Sequence, residues 1–213
     1  MFITLEGVEG SGKSTVCDRL ATWLKAQGFD LVLTREPGSS SLGRKLRAIL
    51  LDMNSVGLSE QSELFLYLAD RAQHVREVLE PALGAGKIVL CDRYADSTLA
   101  YQGYGRGVNL DELTLVNNMA IRGLWPDLTL LFDVDAEVGL SRARKRNQEE
   151  NIEQTEGRFE AEELDFHQRI RQGYLNLAQK YAYRYRLIDA NLPANQVFEQ
   201  AQAHLALALG IKV

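Results

Sequence analysis

Short runs of apolar and β-branched residues alternate along the chain with longer segments in which apolar residues recur every three or four positions. The first pattern is typical of buried β-strands, and the second is typical of helices with one buried face. The short runs predict strands at 2–6, 29–34, 87–91, 127–134 and 185–188. The periodic segments predict helices at 13–27, 42–51, 61–83, 111–122, 136–146, 162–181 and 196–209. Strands that alternate with helices indicate an α/β fold with a parallel sheet.

Polar or charged side chains follow each predicted strand at its C-terminal end. In open parallel sheets the carboxyl ends of the strands meet at one edge, and ligands bind there. These side chains therefore predict one ligand-binding edge. They are Glu6, Arg35 with Glu36, Asp92 with Arg93, Asp133 with Asp135, and Asp189.

The segment between the first strand and the first helix has the spacing G-x-x-x-x-G-K-[ST], in the strand–helix context that this motif requires. Glycines allow backbone N–H groups to turn toward an anion, with the helix N-terminus behind them. Lys13 would then reach the β- and γ-phosphates, and Ser14 would coordinate Mg²⁺. The alternative is a chance glycine-rich turn. The predicted phosphate-binding residues are Gly7, Val8, Glu9, Gly10, Ser11, Gly12, Lys13, Ser14 and Thr15.

The composition is that of an ordinary soluble globular protein, with 213 residues, 46% of them hydrophobic and 25% charged, and it predicts one domain over 1–213. The net charge of −5 argues against a surface for nucleic acid polymers. The sequence shows no targeting segment and no run of membrane-spanning length, so we expect a cytoplasmic protein with no membrane partner. Cys17 and Cys91 fit free buried thiols in a reducing compartment.

Two strand ends carry candidate phosphate and metal ligands. A Pro-Gly turn follows Arg35 and would hold its guanidinium where it grips a second phosphate, although a surface pair with Glu36 is an alternative. Asp92 could hold a water molecule on Mg²⁺ beside the P-loop, and Arg93 could bind a transferring or accepting phosphate. Alternatively, Asp92 or Asp96 caps the following helix, and Arg93 pairs with either carboxylate.

A predicted helix and a polar segment offer groups for a nucleobase and a sugar. Tyr67 and Arg71 are four residues apart on one helical face, where a ring and a guanidinium can stack on a flat base and bind its edge. The alternative places Tyr67 in the core of an amphipathic helix. Hydroxyl, amide and aromatic groups follow Arg93 at Ser97, Thr98, Tyr101 and Gln102.

Residues 147–161 are polar and have little apolar periodicity, with arginines before and within them. The segment is either a solvated loop between two helices or a mobile lid. The three histidines, His74, His167 and His204, are scattered on predicted helices, and we expect packing or surface roles for them.

Four motifs in order resemble the thymidylate kinase family of the P-loop nucleoside-monophosphate kinase group, and the resemblance covers nearly the whole chain. They are the P-loop, T-R-E-P-G at 34–38, D-R-Y with S-T and A-Y-Q-G over 92–103, and P-D-L-T at 126–129. The resemblance implies a three-layer α/β fold in which helices flank a five-stranded parallel sheet, with a short lid. It also implies phosphorylation of dTMP to dTDP with ATP and Mg²⁺ in dTTP synthesis, usually by a homodimer.

The resemblance implies a role for each matching position. ATP phosphates would bind the P-loop with Lys13 and Ser14, and Asp92 would lie beside the metal. The dTMP-binding residues would be Glu9 at the 3′-hydroxyl, Arg35 and Arg93 at the phosphate, Tyr67, Arg71 and Thr98 at the base, and Ser97, Tyr101 and Gln102 around the sugar and base.

The resemblance also implies where the catalytic positive charge lies. Gly10 occupies a position at which some family members carry an arginine within the P-loop. Members without it resemble this chain in placing catalytic arginines in the lid, and Arg158 matches that arginine best, with Arg146 second. The implied catalytic residues are Lys13, Asp92, Arg93 and Arg158.

Two other functions remain open from the sequence. A kinase of the same fold could act on another nucleotide, and a nucleotide-binding switch or a silent module could share the P-loop. The sequence lacks an Asn-Lys-x-Asp segment for reading guanine, which argues against a GTPase.

Overall fold

The computed structural model describes residues 1–211 and contains a sheet of five parallel strands in the order β2-β3-β1-β4-β5. All five predicted strands are present, with ends that differ by at most two residues, and the α/β prediction is confirmed. The central strand β1 is buried over its whole length. The strands are β1 (Phe2–Glu6), β2 (Leu31–Arg35), β3 (Ile88–Asp92), β4 (Leu128–Asp133) and β5 (Tyr185–Asp189).

Helices connect the strands and flank the sheet. A π-helical turn at Val75–Leu79 joins α3 to α4, so the helix predicted at 61–83 is one continuous helical segment. The α-helices are α1 (Lys13–Ala26), α2 (Ser41–Leu51), α3 (Glu60–His74), α4 (Glu80–Gly84), α5 (Ala95–Thr98), α6 (Leu110–Ile121), α7 (Ala136–Glu150), α8 (Glu153–Glu156), α9 (Leu164–Lys180) and α10 (Ala194–Leu209).

The segment after β3 is helical, which the sequence analysis did not predict. Helix α5 continues as a π-helix through Leu99–Gly105. Glycines normally weaken helices, so packing must stabilise this one. A Cβ on Gly103 would lie against Leu110, and one on Gly105 would lie 2.7 Å from the ring of Phe166. Close approach of neighbouring helices, which local periodicity does not reveal, therefore explains the segment.

Helix α7 runs four residues beyond its predicted end and contributes to the predicted lid at 147–161. Asn151 ends it with a left-handed backbone (φ 56°), a conformation that asparagine tolerates at helix C-termini. The short helix α8 follows within the same segment. The lid segment is therefore largely helical and is not an irregular loop.

Apolar side chains fill both faces of the sheet. Alternate residues of β1 face opposite sides, so Ile3 belongs to the larger core and Phe2 to the smaller one. Cys17 and Cys91 are buried free thiols, as the sequence predicted. Within residues 1–211, no helix is both long enough and apolar enough to cross a membrane.

Candidate active site

The loop after β1 bends around a cleft of about 360 Å³ at the C-terminal edge of the sheet. Gly7, Gly10 and Gly12 have φ values of 144°, 65° and 86°, a region that glycine occupies readily. Gly12 is the N-cap of α1, so the N-terminus of that helix opens into the cleft. Backbone N–H groups and the helix dipole make such a terminus an anion site.

Lys13 lies within the phosphate loop. Its Nζ donates to the carbonyl oxygens of Gly7 (2.9 Å) and Val8 (2.8 Å) and to Ser11 Oγ (3.0 Å). Burial and the nearby Arg93 guanidinium lower the pKa of Lys13 to about 7, against the opposing effect of neighbouring carboxylates. An anionic phosphate beside Nζ would stabilise the charged form of this amine.

Ser14 and Asp92 form the candidate Mg²⁺ ligands. Ser14 Oγ donates to Asp92 Oδ2 at 2.7 Å, while the buried Asp92 Oδ1 has no hydrogen-bond partner among the described residues. Hydroxyl and carboxylate oxygens suit Mg²⁺, which typically keeps one or two protein ligands and takes the rest from phosphates and water. The residues present therefore fit the ion. The alternative capping role of Asp92 is wrong, because Tyr94 is the N-cap of α5 and no side chain caps it.

Glu9 is the carboxylate of the phosphate loop, and three side chains surround it. Its Oε1 accepts from Arg93 Nη2 (3.1 Å) and from the Tyr101 hydroxyl, and His167 Nδ1 lies 3.4 Å from Oε2. Burial alone would raise the pKa of Glu9, but the charges of Arg93 and His167 outweigh it, so the pKa falls well below the usual range. Glu9 is thus an ionised acceptor facing the cleft.

Arg93 has a left-handed backbone (φ 68°), which is uncommon for a residue with a side chain. Such strain, of roughly 1–3 kcal/mol, is found most often at functional sites. Buried Glu6 holds the next residue, since Tyr94 N donates to Glu6 Oε1 at 2.8 Å. Arg93 Nη1 donates to the Gly7 carbonyl at 2.9 Å, which places the guanidinium between the phosphate loop and the opposite wall.

Arg71 is fully buried and uses four of its five N–H donors within the protein. Its Nε donates to Glu36 Oε2 (2.8 Å), Nη1 donates to Thr98 Oγ1 (2.6 Å) and Asn117 Oδ1 (2.8 Å), and Nη2 donates to the Tyr94 carbonyl (3.0 Å). One Nη2 hydrogen is left for a ligand. Because Arg71 lines the cleft, the site presents a fixed donor there.

His74 continues this network. Its Nδ1 lies 2.7 Å from Glu36 Oε1, and its Nε2 lies 2.7 Å from Thr34 Oγ1. His74 and His167 thus both support the site, contrary to the surface or packing roles expected for the histidines. Asn117, which also holds Arg71, was missed as well. The signal that could have indicated Asn117 is a polar residue among the buried apolar positions of α6.

The cleft brings together most of the predicted site residues. Tyr67 lines it and also packs against the larger core, so both interpretations of this ring hold in part. Gly7 and Val8 lie in the phosphate loop but not at the cleft surface, and the structure places Arg158 elsewhere. The predicted residues at the cleft are Glu9, Gly10, Ser11, Gly12, Lys13, Ser14, Thr15, Arg35, Tyr67, Arg71, Asp92, Arg93, Ser97, Thr98, Tyr101 and Gln102.

Arg158 lies behind the cleft wall and is 4% exposed. Its Nη2 donates to Glu63 Oε2 at 2.6 Å, and its Nε donates to the Leu50 carbonyl. The buried carboxylate of Glu63 neutralises this guanidinium, so its position does not support the catalytic role inferred from the sequence. Sequence reasoning missed Glu63 because the two residues are far apart along the chain.

Helix α7 supplies other arginines to the cleft. The phosphate loop packs directly on this helix, and a Cβ on Gly10 would overlap the carbonyl oxygen of Gly139. A larger residue at position 10 is therefore excluded. Arg142 and Arg146, one turn apart on α7, line the cleft instead. Arg146 was the second candidate from the sequence, whereas Arg47 of α2, which also lines the cleft, was missed.

A glycine loop at a helix N-terminus, a buried lysine, a serine–aspartate pair and converging arginines occupy one edge of a parallel sheet. Together they define a P-loop nucleotide kinase.

Comparison with known proteins identifies the family. The family model for thymidylate kinase matches residues 5–201. The chain is 56% identical over 206 residues to thymidylate kinase from Oleidesulfovibrio alaskensis, which covers 97% of each protein. Thymidylate kinase from Nitratidesulfovibrio vulgaris is 54% identical over 99% of this chain and 94% of its own length. The crystal structure of thymidylate kinase from Ehrlichia chaffeensis matches with a TM-score of 0.75 and 34% identity over 96% of this chain and 97% of that one. The chain belongs to the thymidylate kinase family.

We expect ATP binding to take up a proton near pH 8. At this pH Lys13, with a pKa of about 7, is largely neutral, and phosphate charge would raise its pKa and protonate it. ATP affinity should therefore fall as the pH rises above 7. Calorimetry of ATP binding in two buffers with different ionisation enthalpies measures the uptake. Lys25→Gln, at an exposed site on α1, should retain it, and a binding enthalpy independent of the buffer would contradict the expectation.

Proposed function

We propose that this enzyme transfers the γ-phosphoryl group of ATP to dTMP and forms dTDP in dTTP synthesis. The observation that carries the proposal is the composition of the cleft, since the phosphate loop, Asp92, Arg93 and Arg71 all line one cavity. Membership of the thymidylate kinase family supports this choice of substrates.

The part of the cleft around Arg71, here called the Arg71 pocket, would select thymine over cytosine. Arg71 is a donor only, and three acceptors besides Thr98 hold its guanidinium in place, so its remaining N–H would favour a carbonyl such as O4 of thymine. Cytosine presents an amino group at this position, and two donors facing each other are unfavourable in a buried site. Tyr67 would stack on the base. Ser97, Thr98 and Gln102 would line the rest of the Arg71 pocket.

The sugar and phosphate of dTMP would lie beside Glu9. The ionised Glu9 carboxylate would accept from the 3′-hydroxyl, and the ring of Tyr101 would pack against C2′, where a ribose hydroxyl would clash. Arg35 and Arg93 would bind the acceptor phosphate. Arg93 lies 5.0 Å from the Tyr101 ring, so one guanidinium would link the sugar pocket to the reacting phosphates.

Ser14 and Asp92 would hold Mg²⁺, the latter partly through water. At this site a bound Mg²⁺ would supply positive charge that stabilises the transferring phosphoryl group. Lys13 would move from the loop carbonyls to the β- and γ-phosphates, and the backbone amides of the loop would hold the rest of the triphosphate. This chemistry depends on positioning and electrostatics and needs little general-base catalysis.

One kinase domain would span residues 1–213, with 147–161 as its lid; residues 212 and 213 lie outside the described part of the chain. The two buried thiols support a cytoplasmic location, because free cysteines are typical of reducing compartments.

The decisive experiment measures nucleoside diphosphate formed from ATP, Mg²⁺ and each of dTMP, dUMP, dCMP, dAMP and dGMP. We expect the highest kcat/KM with dTMP and a loss of about a hundredfold or more with dCMP, because of the unfavourable amino group. Faster turnover of another monophosphate would establish a different kinase of the same fold. ATP binding without transfer to any acceptor would indicate a silent nucleotide-binding module.

Arg142 and Arg146, which line the cleft from α7, would stabilise the transferring phosphoryl group. We expect Arg146→Ala to lower kcat about tenfold or more with a small change in KM, since this contact would strengthen in the transition state. Lys145→Ala is the control, because its side chain is 77% exposed on the same helix. An unchanged kcat in both Arg146→Ala and Arg142→Ala would exclude this assignment.

The enzyme would act as a homodimer through α3 and α6, which pack against each other. Each helix exposes large apolar side chains, with exposed fractions of 62% for Phe65, 64% for Leu115 and 73% for Met119. Exposed apolar surface of this kind is a feature of interfaces between subunits.

Met119→Arg should therefore convert a dimer to a monomer of 23.9 kDa, because a buried unpaired charge at an interface is unfavourable. Sedimentation velocity measures the mass. Leu207→Arg, at a site on α10 that is 78% exposed, is the control and should leave the dimer intact. A wild-type monomer, or a Met119→Arg dimer, would rule out this interface.

A further inference from the structure

The Glu63 carboxylate on α3 accepts hydrogen bonds from three side chains on two other segments of the chain. Its Oε1 accepts from Gln102 Nε2 at 2.9 Å, and its Oε2 accepts from Arg158 Nη2 at 2.6 Å and Arg106 Nη2 at 3.3 Å. Arg106 also pairs with Glu162 at 2.6 Å. Burial opposes ionisation of Glu63, but Arg106, Gln102 and Arg158 lower its pKa overall. This Glu63 cluster is thus a charged network inside the protein.

The Glu63 cluster joins the lid to the wall of the cleft that is proposed to bind dTMP, here called the acceptor wall. Gln102 lines the cleft, and Arg158 belongs to the lid segment 147–161. The next lid residue repeats the link, because the Phe159 ring packs edge-to-face on Tyr101 with ring centroids 5.5 Å apart. Two consecutive lid residues are therefore attached to the side of the cleft proposed to bind dTMP.

Arg158 is also attached to the end of α2. Arg158 donates through its backbone N–H to the Leu51 carbonyl at 3.2 Å and through Nε to the Leu50 carbonyl. Carbonyl groups in the last turn of a helix lack helical partners, so a guanidinium satisfies them well. Arg158 is thereby fixed by an ionised carboxylate and two main-chain contacts in a water-excluded position.

The outer part of the lid is held more weakly. Glu156 of α8 pairs with Arg47 of α2 at 2.7 Å, and the two side chains are 33% and 21% exposed. The pair is bidentate, with Arg47 Nε also donating to Glu156 Oε1 at 3.0 Å, but solvent reaches it and weakens it relative to a fully buried pair. Separating the buried Arg158–Glu63 pair would instead leave the Arg158 guanidinium buried without its carboxylate partner, which is strongly unfavourable. The lid thus has a fixed base and a readily displaced outer part.

We propose that Glu63 is a positioning residue, which fixes the base of the lid to the acceptor wall through Arg158. Arg142 and Arg146 of α7, the helix that leads into the lid, then reach the phosphates only when Gln102 and Tyr101 are ordered around dTMP. This inference deepens the proposed function and assigns Arg158 to positioning instead of catalysis. Cutting the link should let water compete for the phosphoryl group, because lid closure would no longer exclude it.

The test compares wild type, Glu63→Gln, Arg158→Met and the double variant by the ratio of ADP to dTDP formed with ATP and dTMP. We expect this ratio to rise about fivefold or more in each single variant, together with the KM for dTMP. The double variant should be no worse than the more affected single variant, since both substitutions break one link. A smaller folded fraction would not move the ratio, so it separates positioning from loss of structure.

Arg106→Met is the control variant, because it removes another cation from Glu63 and leaves the link to the lid. Its ratio should stay near that of the wild type. If Glu63→Gln fails to fold, Arg158→Met carries the test, since it removes a buried charge and does not leave one unpaired. Unchanged ratios, effects that multiply in the double variant, or a large loss of kcat alone in Arg158→Met would overturn the proposal. A wild type that forms no dTDP would instead refute the proposed function itself.

Discussion

The close approach of the phosphate loop to α7 governs the arrangement of charge in this enzyme. Gly10 and Gly139 meet backbone against backbone, since a Cβ on Gly139 would lie 2.6 Å from the carbonyl oxygen of Glu9. This contact excludes an arginine from position 10 of the loop. It also sets α7 beside the phosphates, so that Arg142 and Arg146 line the cleft from the helix that leads into the lid. One steric constraint thus decides which segment brings further arginines to the cleft beside the phosphate loop.

The charged side chains of the cleft stabilise one another, although burial of each one alone would be unfavourable. Arg93 is held by Glu9, by the Gly7 carbonyl and by a strained backbone, while Glu6 secures the residue that follows it. Burial and Asp96 raise the pKa of Glu6 to about 7, whereas Arg93 and His167 keep Glu9 ionised despite its burial. The two carboxylates therefore differ in pKa, which is raised for Glu6 and lowered for Glu9. Only Glu9 lines the cleft, where a fixed negative charge can bind a sugar hydroxyl and orient Arg93 toward phosphates.

Local patterns in the sequence were sufficient for the five strands, most helices and the phosphate loop, because strand and helix periods and the G-x-x-x-x-G-K-[ST] spacing are local signals. They were insufficient for the π-helical Leu99–Gly105, whose glycines are explained by contacts with α6 and α9. Local patterns also did not predict the pairing of Glu36 with His74 or of Glu63 with Arg158, whose partners are 38 and 95 positions apart along the chain. A buried ion pair has no periodicity, so its partner is recognisable only once the fold brings the two elements together.

The buried ion pair between Arg158 and Glu63 explains why Arg158, which was expected to be catalytic, does not line the cleft. A lid that swings as a whole would have to extract a guanidinium from a buried carboxylate at every turnover, which is slow and unfavourable. A lid fixed at Arg158 and Phe159 can move at its outer part alone, where the Arg47–Glu156 pair is partly exposed to solvent. In the proposed mechanism the C-terminal end of α7 would move with the outer part of the lid, because the N-terminal half of this helix packs on the phosphate loop and its C-terminal end enters the lid. The exposed Arg146 would move with that end of the helix, whereas the buried Arg158 would stay in place.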